Sequence, residues 1–179
     1  MKRSLMQSLA ILLLCLAVMP LQAQSVLKEQ KAPTIMKYLV DASPEYATMV
    51  KAINTARLTE TFEGPGPVTM FAPLNKAFDV LPAGTVDKWL QPEMIDELQK
   101  ILTYHVIAGN WPIKDLEQKI KEAGGEFQVP TIGEPGKLSF VMENGKVMVK
   151  DQQGFKTALG MPVTEQNGML YRIDKILLR

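Results

Sequence analysis

Residues 101–109, Ile-Leu-Thr-Tyr-His-Val-Ile-Ala-Gly, are the stretch from which the fold is best deduced. They follow a segment whose apolar residues recur at helical spacing, and they contain the only histidine of the chain, His105. The apolar run Val-Ile-Ala then stops at Gly109, which predicts a change from a helix to a buried strand. Because an unpaired buried polar group costs about 1–3 kcal/mol, we expect Tyr104 and His105 to have hydrogen-bond partners.

The N-terminus has the pattern of a secretory signal peptide. Two basic residues precede an apolar run at residues 9–19, and Leu-Gln-Ala at 21–23 offers a small residue for cleavage. The run is too short to cross a bilayer comfortably, so no membrane span is expected after the signal is removed. We therefore predict a removed signal peptide over residues 1–23, followed by a short extension over 24–32.

The remaining composition is that of one globular domain, which we expect over residues 33–179 without internal repeats. The chain is 46% hydrophobic and 22% charged, which is ordinary for such a domain. Outside the predicted signal peptide, 18 basic residues face 19 acidic ones, so no charge excess favours nucleic acid or anionic lipid. The lone cysteine, Cys15, falls inside the signal peptide, which leaves the mature chain without a disulfide or a thiol nucleophile.

Predicted helices come first along the chain and predicted strands come later, which favours an α+β domain with segregated layers. Ser43 and Asn75 are expected to cap helices, and Asn144-Gly145 predicts a tight hairpin turn. The predicted helices cover residues 32–42, 44–58, 92–104 and 112–123, and the predicted strands cover 68–72, 105–108, 127–129, 138–142, 146–150 and 169–178.

Three separated stretches carry recognisable motifs. Residues 69–78 read Thr-Met-Phe-Ala-Pro-Leu-Asn-Lys-Ala-Phe, residues 102–107 read Leu-Thr-Tyr-His-Val-Ile, and residues 167–178 read Asn-Gly-Met-Leu-Tyr-Arg-Ile-Asp-Lys-Ile-Leu-Leu. In order and spacing they resemble the first signature, the Tyr-His motif and the second signature of the fasciclin (FAS1) domain family. The resemblance covers almost all of residues 33–178. Its signature positions are Phe71, Ala72, Pro73, Asn75, Phe78, Asn167, Gly168 and Asp174.

This resemblance implies a fold and a kind of function. FAS1 domains have a wedge-like arrangement of β-sheets with several helices packed around it. They occur in secreted and surface proteins that act in adhesion and matrix contact. In animal members the Tyr-His region is associated with integrin binding, and an equivalent binding region would fall here on Tyr104, His105, Val106 and Ile107.

Two positions depart from the family pattern. Tyr171 stands where the second signature usually has histidine, and Arg172 occupies an apolar position. Residues 129–137, which contain two prolines, copy the family's middle region poorly. The first signature still has a physical reading, because Pro73 ends a strand and lets Phe71 and Phe78 point into one core.

His105 is open to several chemical roles, of which hydrogen bonding in the core is the one we expect. No H-E-x-x-H or clustered Cys/His spacing predicts a metal site. A Ser-His-Asp triad would need Ser25, Ser43 or Ser139, and the chain has no G-x-S-x-G elbow. We therefore expect no catalytic residues, no metal and no cofactor.

The sequence thus predicts a secreted, periplasmic or cell-surface domain that is not an enzyme. It would act in adhesion by binding an extracellular or cell-surface protein or a polysaccharide. The alternative is a periplasmic carrier or sensor that binds a small apolar or sugar ligand in a pocket, and a hydrolase is a third choice. Four aromatic residues could line such a pocket, although aromatics at this density are more typical of a core: Trp89, Trp111, Phe127 and Tyr171.

Overall fold

The computed structural model describes residues 32–42, 44–133 and 136–179. The predicted signal peptide, nearly all of the predicted extension and the predicted cap Ser43 lie outside this part of the chain. No helix among the described residues is both long enough and apolar enough to cross a bilayer.

Helices and strands of the described residues follow one another with short connections. Helices α1–α7 span Ile35–Asp41, Ala47–Thr55, Thr59–Glu63, Asn75–Asp79, Thr85–Trp89, Ile95–Tyr104 and Ile113–Glu122, and a 3-10 turn at Pro92–Met94 leads into α6. Strands β1–β8 span Val68–Pro73, Val106–Ala108, Glu126–Pro130, Lys137–Glu143, Lys146–Lys150, Lys156–Ala158, Pro162–Glu165 and Gly168–Ile173. This arrangement of helices and strands confirms the predicted α+β class.

The strands form two four-stranded sheets. Sheet A has the order β2-β1-β8-β7, and its central pair, β1 and β8, is parallel in a register that pairs Val68 with Gly168. Sheet B has the order β3-β4-β5-β6 and is antiparallel throughout. A bridge between Ile107 and Thr131 brings the two sheets together beside β2 and β3, while β6 and β7 form the other edges.

The two faces of sheet A cover two separate apolar clusters. Because successive strand residues point to opposite faces, Met70 and Ala72 of β1 pack on α1–α3 and α6, whereas Phe71 packs on sheet B and α7. We call these clusters core 1 and core 2. Phe78 packs against core 1, so the prediction that Phe71 and Phe78 share one core is wrong: Phe78 follows the strand on a helix, on the opposite side of the sheet.

Asn75 does not cap a helix as predicted. Leu74 is the N-cap of α4, without a side-chain hydrogen bond, and the Asn75 amide instead accepts from the backbone N–H of Thr48 at 3.0 Å and donates to the carbonyl of Pro44. The backbone N–H of Asn75 also donates to the carbonyl of Glu45 at 2.9 Å. Asn75 thereby takes up backbone groups that a helix starting at Pro44 would use for its own hydrogen bonds. Helix α2 accordingly begins at Ala47 and not at Pro44.

The hairpin prediction is confirmed, but the last strand is shorter than predicted. Asn144 and Gly145 have φ values of 51° and 73° and join β4 to β5. Strand β8 ends at Ile173, because the backbone N–H groups of Leu177 and Leu178 donate to side chains and not to a neighbouring strand. Helix α3 lies just before the loop Gly64-Pro65-Gly66-Pro67 and has no counterpart in the sequence prediction.

Candidate functional site

The Tyr-His motif lies at the junction of α6 and β2. Helix α6 ends at Tyr104, and His105 is 1% exposed. The His105 Nε2 atom lies 3.0 Å from the backbone nitrogen of Leu177, and Nδ1 lies 2.8 Å from the carbonyl oxygen of Ile101. Because a backbone N–H can only donate, Nε2 is the unprotonated acceptor and Nδ1 carries the proton that it donates to Ile101.

The interior position also fixes the charge of this ring. Burial lowers the pKa of His105 from 6.5 to about 4, although the hydrogen bond with Ile101 opposes the shift. The imidazole is therefore neutral near pH 7. Both ring nitrogens are already bonded to the backbone, so neither can take a proton from a serine hydroxyl. This geometry argues against the hydrolase alternative.

Tyr104 uses its hydroxyl to connect three parts of the chain. The hydroxyl donates to the carbonyl of Lys137 at 3.0 Å and accepts from the backbone N–H of Gln152 at 3.0 Å. Burial raises the pKa of Tyr104 to about 12, so the phenol keeps its proton. The side chain thereby fastens the end of α6 to the start of β4 and to the turn that follows β5.

The four predicted binding residues all lie in the interior. Tyr104, His105, Val106 and Ile107 are each at most 1% exposed, and the last two pack into core 1 and core 2 respectively. These side chains have no surface to offer a partner directly. A binding role for this region stays a prediction, and in this fold it would act through the residues that the motif positions.

Asn167 of the second signature connects elements that are distant in sequence. It is 3% exposed, and its amide oxygen accepts from the backbone N–H of Ile35 at 2.9 Å. Its amide nitrogen donates to the carbonyls of Phe62 and Gly64 at 2.8 and 3.0 Å. One side chain therefore holds the start of α1 and the end of α3 against the β7–β8 turn.

The other signature positions are also structural. Gly168 has φ 153°, and a Cβ there would overlap the carbonyl oxygen of Val68 on the paired strand β1. The carboxylate of Asp174 accepts from the hydroxyl of Thr157 at 2.6 Å, which ties the end of β8 to β6. Phe71, Ala72 and Pro73 are buried along β1.

The predicted aromatic residues do not line a common groove. Trp111 and Phe127 pack with ring centroids 5.3 Å apart beside core 2, Tyr171 is fully buried there, and Trp89 packs on core 1. The hydroxyl of Tyr171 donates to the carbonyl of Trp111 at 2.7 Å. Among the described residues no three or more histidine, cysteine or acidic side chains cluster as metal ligands would.

The outer face of sheet B carries a row of polar residues that the sequence analysis missed. Its inner face packs on core 2, and cross-strand register places one polar row on the other side: Gln128, Ser139, Lys150 and Lys156. Two neighbouring concavities of about 490 and 350 Å³ share Gln128, Lys137 and Gln152. The alternation of polar and apolar residues along β3 and β4 could have indicated this row. Alternate residues of a strand lie on opposite faces, so the polar ones face away from the core.

Part of this row is held together by charge. Lys150 Nζ lies 2.7 Å from a carboxylate oxygen of Glu126, and hydrogen bonds from Lys150, Ser139 and Gln128 lower the pKa of Glu126 to about 2. Lys137, in contrast, is exposed, and it has no ion-pair partner among the residues that the structure describes. Among the described residues, the face thus offers exposed amides and the exposed ammonium group of Lys137.

A third concavity of about 510 Å³, which we call the wedge groove, opens where β6 and β7 are joined. The residues lining it come from α4, α7, β5, β8 and the β6–β7 link, and none of those described is aromatic. It contains Arg172, one of the two departures from the family pattern. That departure was the one signal in the sequence that pointed to this groove.

Comparison with known proteins agrees with this architecture. The family model described as "Fasciclin domain" matches residues 44–179. The chain is 37% identical over 134 residues to Protein sll1483 of Synechocystis sp., which covers 74% of this chain and 67% of that protein. It is 42% identical over 72 residues to the cell surface glycolipoprotein MPB83 of Mycobacterium bovis, covering 37% of this chain and 31% of that protein.

The fold is also found in a solved structure. A FAS1 domain pair from the insect cell adhesion molecule Fasciclin I superposes with a TM-score of 0.70 at 20% identity, over 83% of this chain. The chain spans about half, 52%, of the length of that Fasciclin I chain. The match confirms the FAS1-like fold that the three motifs predict. The chain belongs to the fasciclin (FAS1) domain family.

Proposed function

We propose that this FAS1 domain is exported and acts in adhesion or surface association, by binding an extracellular or cell-surface protein or a polysaccharide. The binding surface is the outer face of sheet B. The observation that carries the proposal is the division of the sheet into an inner face packed on core 2 and an outer polar face with two concavities.

The buried Tyr-His motif supports this choice of surface. The polar groups of Tyr104 and His105 are hydrogen-bonded to the backbone, so the motif stabilises the fold and a partner would contact other residues. On the outer face, Gln128 and Gln152 each present an amide, and Lys137 adds an exposed ammonium group. Paired donors and acceptors of this kind suit the hydroxyl and carboxylate groups of a polysaccharide or a polar protein surface.

The relatives support the proposed setting. MPB83 is described as a cell surface glycolipoprotein, and the similar solved structure comes from a cell adhesion molecule. A single small domain has room for one modest interface, so firm attachment would need several copies acting together. Display of many copies on one surface would provide that.

A solid-phase assay with the full chain, displayed at high density, tests this function. Matrix proteins, cell surfaces and polysaccharides serve as immobilised targets, and we expect saturable binding to one of these classes. Lys137→Glu should weaken that binding several-fold. Lys51→Glu is the matched control, because Lys51 is exposed on α2, away from sheet B, and it should bind like the wild type.

Two results would contradict the proposal. Absence of binding above background to all three target classes would remove the adhesive function. Equal weakening by Lys137→Glu and Lys51→Glu would remove the outer face of sheet B as the binding surface.

A further inference from the structure

The wedge groove has the size and position of a small-ligand site. Its volume of about 510 Å³ lies within the range of roughly 300–1,000 Å³ that is typical of ligand pockets. It shares no lining residue with the two concavities on the outer face of sheet B. Any ligand held here would therefore leave both of those concavities uncovered.

The floor and walls of the groove are aliphatic. Val147 and Ile173 form buried parts of its lining, and Leu74, Ile113 and Leu159 are half-buried on its sides. The three half-buried side chains keep apolar surface in contact with water, and an aliphatic ligand would remove it from water. Since no described lining residue is aromatic, the groove provides no ring on which a sugar could stack.

The lining of the groove contains one more cation than carboxylate. Three cations line it, Lys76, Lys146 and Arg172, together with two carboxylates, Glu117 and Asp174. The carboxylate of Asp174 already accepts a short hydrogen bond of 2.6 Å from a threonine hydroxyl. Neither lysine has an ion-pair partner among the residues described, so both ammonium groups are available to an anion.

Arg172 is held in place beside this opening. Its guanidinium donates to the hydroxyl of Tyr38 at 3.4 Å and lies 3.7 Å from a carboxylate oxygen of Glu45. These contacts are long and partly exposed, so they orient the side chain without using all of its donors. The arginine at this family-atypical position therefore remains able to bind a carboxylate.

We propose that the wedge groove binds a medium-chain alkyl carboxylate, with the aliphatic chain along the groove and the carboxylate among Lys76, Lys146 and Arg172. The ligand class follows from the combination of an aliphatic lining and a cationic mouth. The site is tested separately from the adhesive function, because the groove shares no lining residue with the two concavities and the assays differ.

Titration of the isotope-labelled full chain with octanoate, followed by amide NMR, tests the site directly. We expect saturable shifts at Gly145, Gly160 and Ile173, all of which line the groove. Octanol, which lacks the charge, and acetate, which lacks the aliphatic chain, should each bind more weakly than octanoate. Shifts spread over the whole domain, or equal binding of octanol, would overturn the proposal.

Two variants that leave the core intact distinguish binding of octanoate in the groove from a nonspecific effect of net charge. Lys146 is exposed and Met161 is 85% exposed, so Lys146→Glu and Met161→Glu should fold normally. Each should raise the Kd for octanoate by about two- to fivefold, which is the order expected for a partly exposed charge interaction. Lys51→Glu should leave the Kd unchanged. An unchanged Kd in both groove variants would overturn the proposal.

Discussion

The Nε2 atom of His105 accepts a hydrogen bond of 3.0 Å from the backbone N–H of Leu177, 72 positions further along the chain. This bond joins the Tyr-His motif to the second signature and gives the C-terminal segment a fixed place. It also requires a neutral ring, because a protonated Nε2 could no longer accept. The stability of the domain is therefore linked to pH through this residue.

We expect acid to weaken the fold through His105. The pKa is 6.5 in the unfolded chain and about 4 in the folded one, so the unfolded state binds the proton more readily between these values. The stabilisation that the neutral, buried imidazole of His105 gives the fold is fully present above pH 6.5 and is lost as the pH falls through 4. Between pH 8 and pH 5 it amounts to about 2 kcal/mol.

Urea denaturation at both pH values, on the wild type and on His105→Gln, measures this effect. The wild type should lose about 2 kcal/mol more than the variant between pH 8 and pH 5, since the variant lacks the imidazole and the two proteins share all other titrating groups. Equal losses in the two proteins would show that His105 does not carry the pH dependence.

Tyr104→Phe should destabilise the domain without unfolding it. The substitution leaves the Lys137 carbonyl and the Gln152 N–H without their partner, which costs about 1–3 kcal/mol in a buried setting. Tyr38→Phe is the control, because the Tyr38 hydroxyl has only a long, exposed contact with Arg172. If both variants lose the same free energy of unfolding in urea, the bridging role assigned to Tyr104 is incorrect.

Asn167→Ala removes three hydrogen bonds that connect α1, α3 and the β7–β8 turn. We expect the free energy of unfolding to fall by about 2–4 kcal/mol, because each buried partner is left unsatisfied. Asn110→Ala, at an exposed position, should change it by less than about 0.5 kcal/mol. Comparable urea midpoints for the two variants would refute the connecting role of Asn167.

Local signals made much of the fold predictable. The Asn144-Gly145 turn and the glycines after α7 have the positive φ values that their sequence suggests. The helix over Ile95–Tyr104 follows from its apolar spacing. These features depend on neighbours within a few residues, and the three motifs then supplied the family.

Long-range contacts could not be predicted in the same way. The partners of Asn75 lie about 30 positions earlier, and the division of Phe71 and Phe78 between two cores depends on which face of sheet A each helix covers. The wedge groove combines residues from 74 to 174. The sequence analysis noted Arg172 only as a departure from the family pattern, because a single sequence contains no distances between such segments.

The central claim is that the Tyr-His motif is an internal support and that binding occurs at the outer surface. NMR titration of the His105 ring tests it most directly, and the single histidine of the chain makes its signals unambiguous. We predict the Nδ1-protonated tautomer, unchanged from pH 8 to below pH 5, with a pKa of about 4. A ring that titrates near pH 6.5 would be exposed to solvent, and that result would contradict the account.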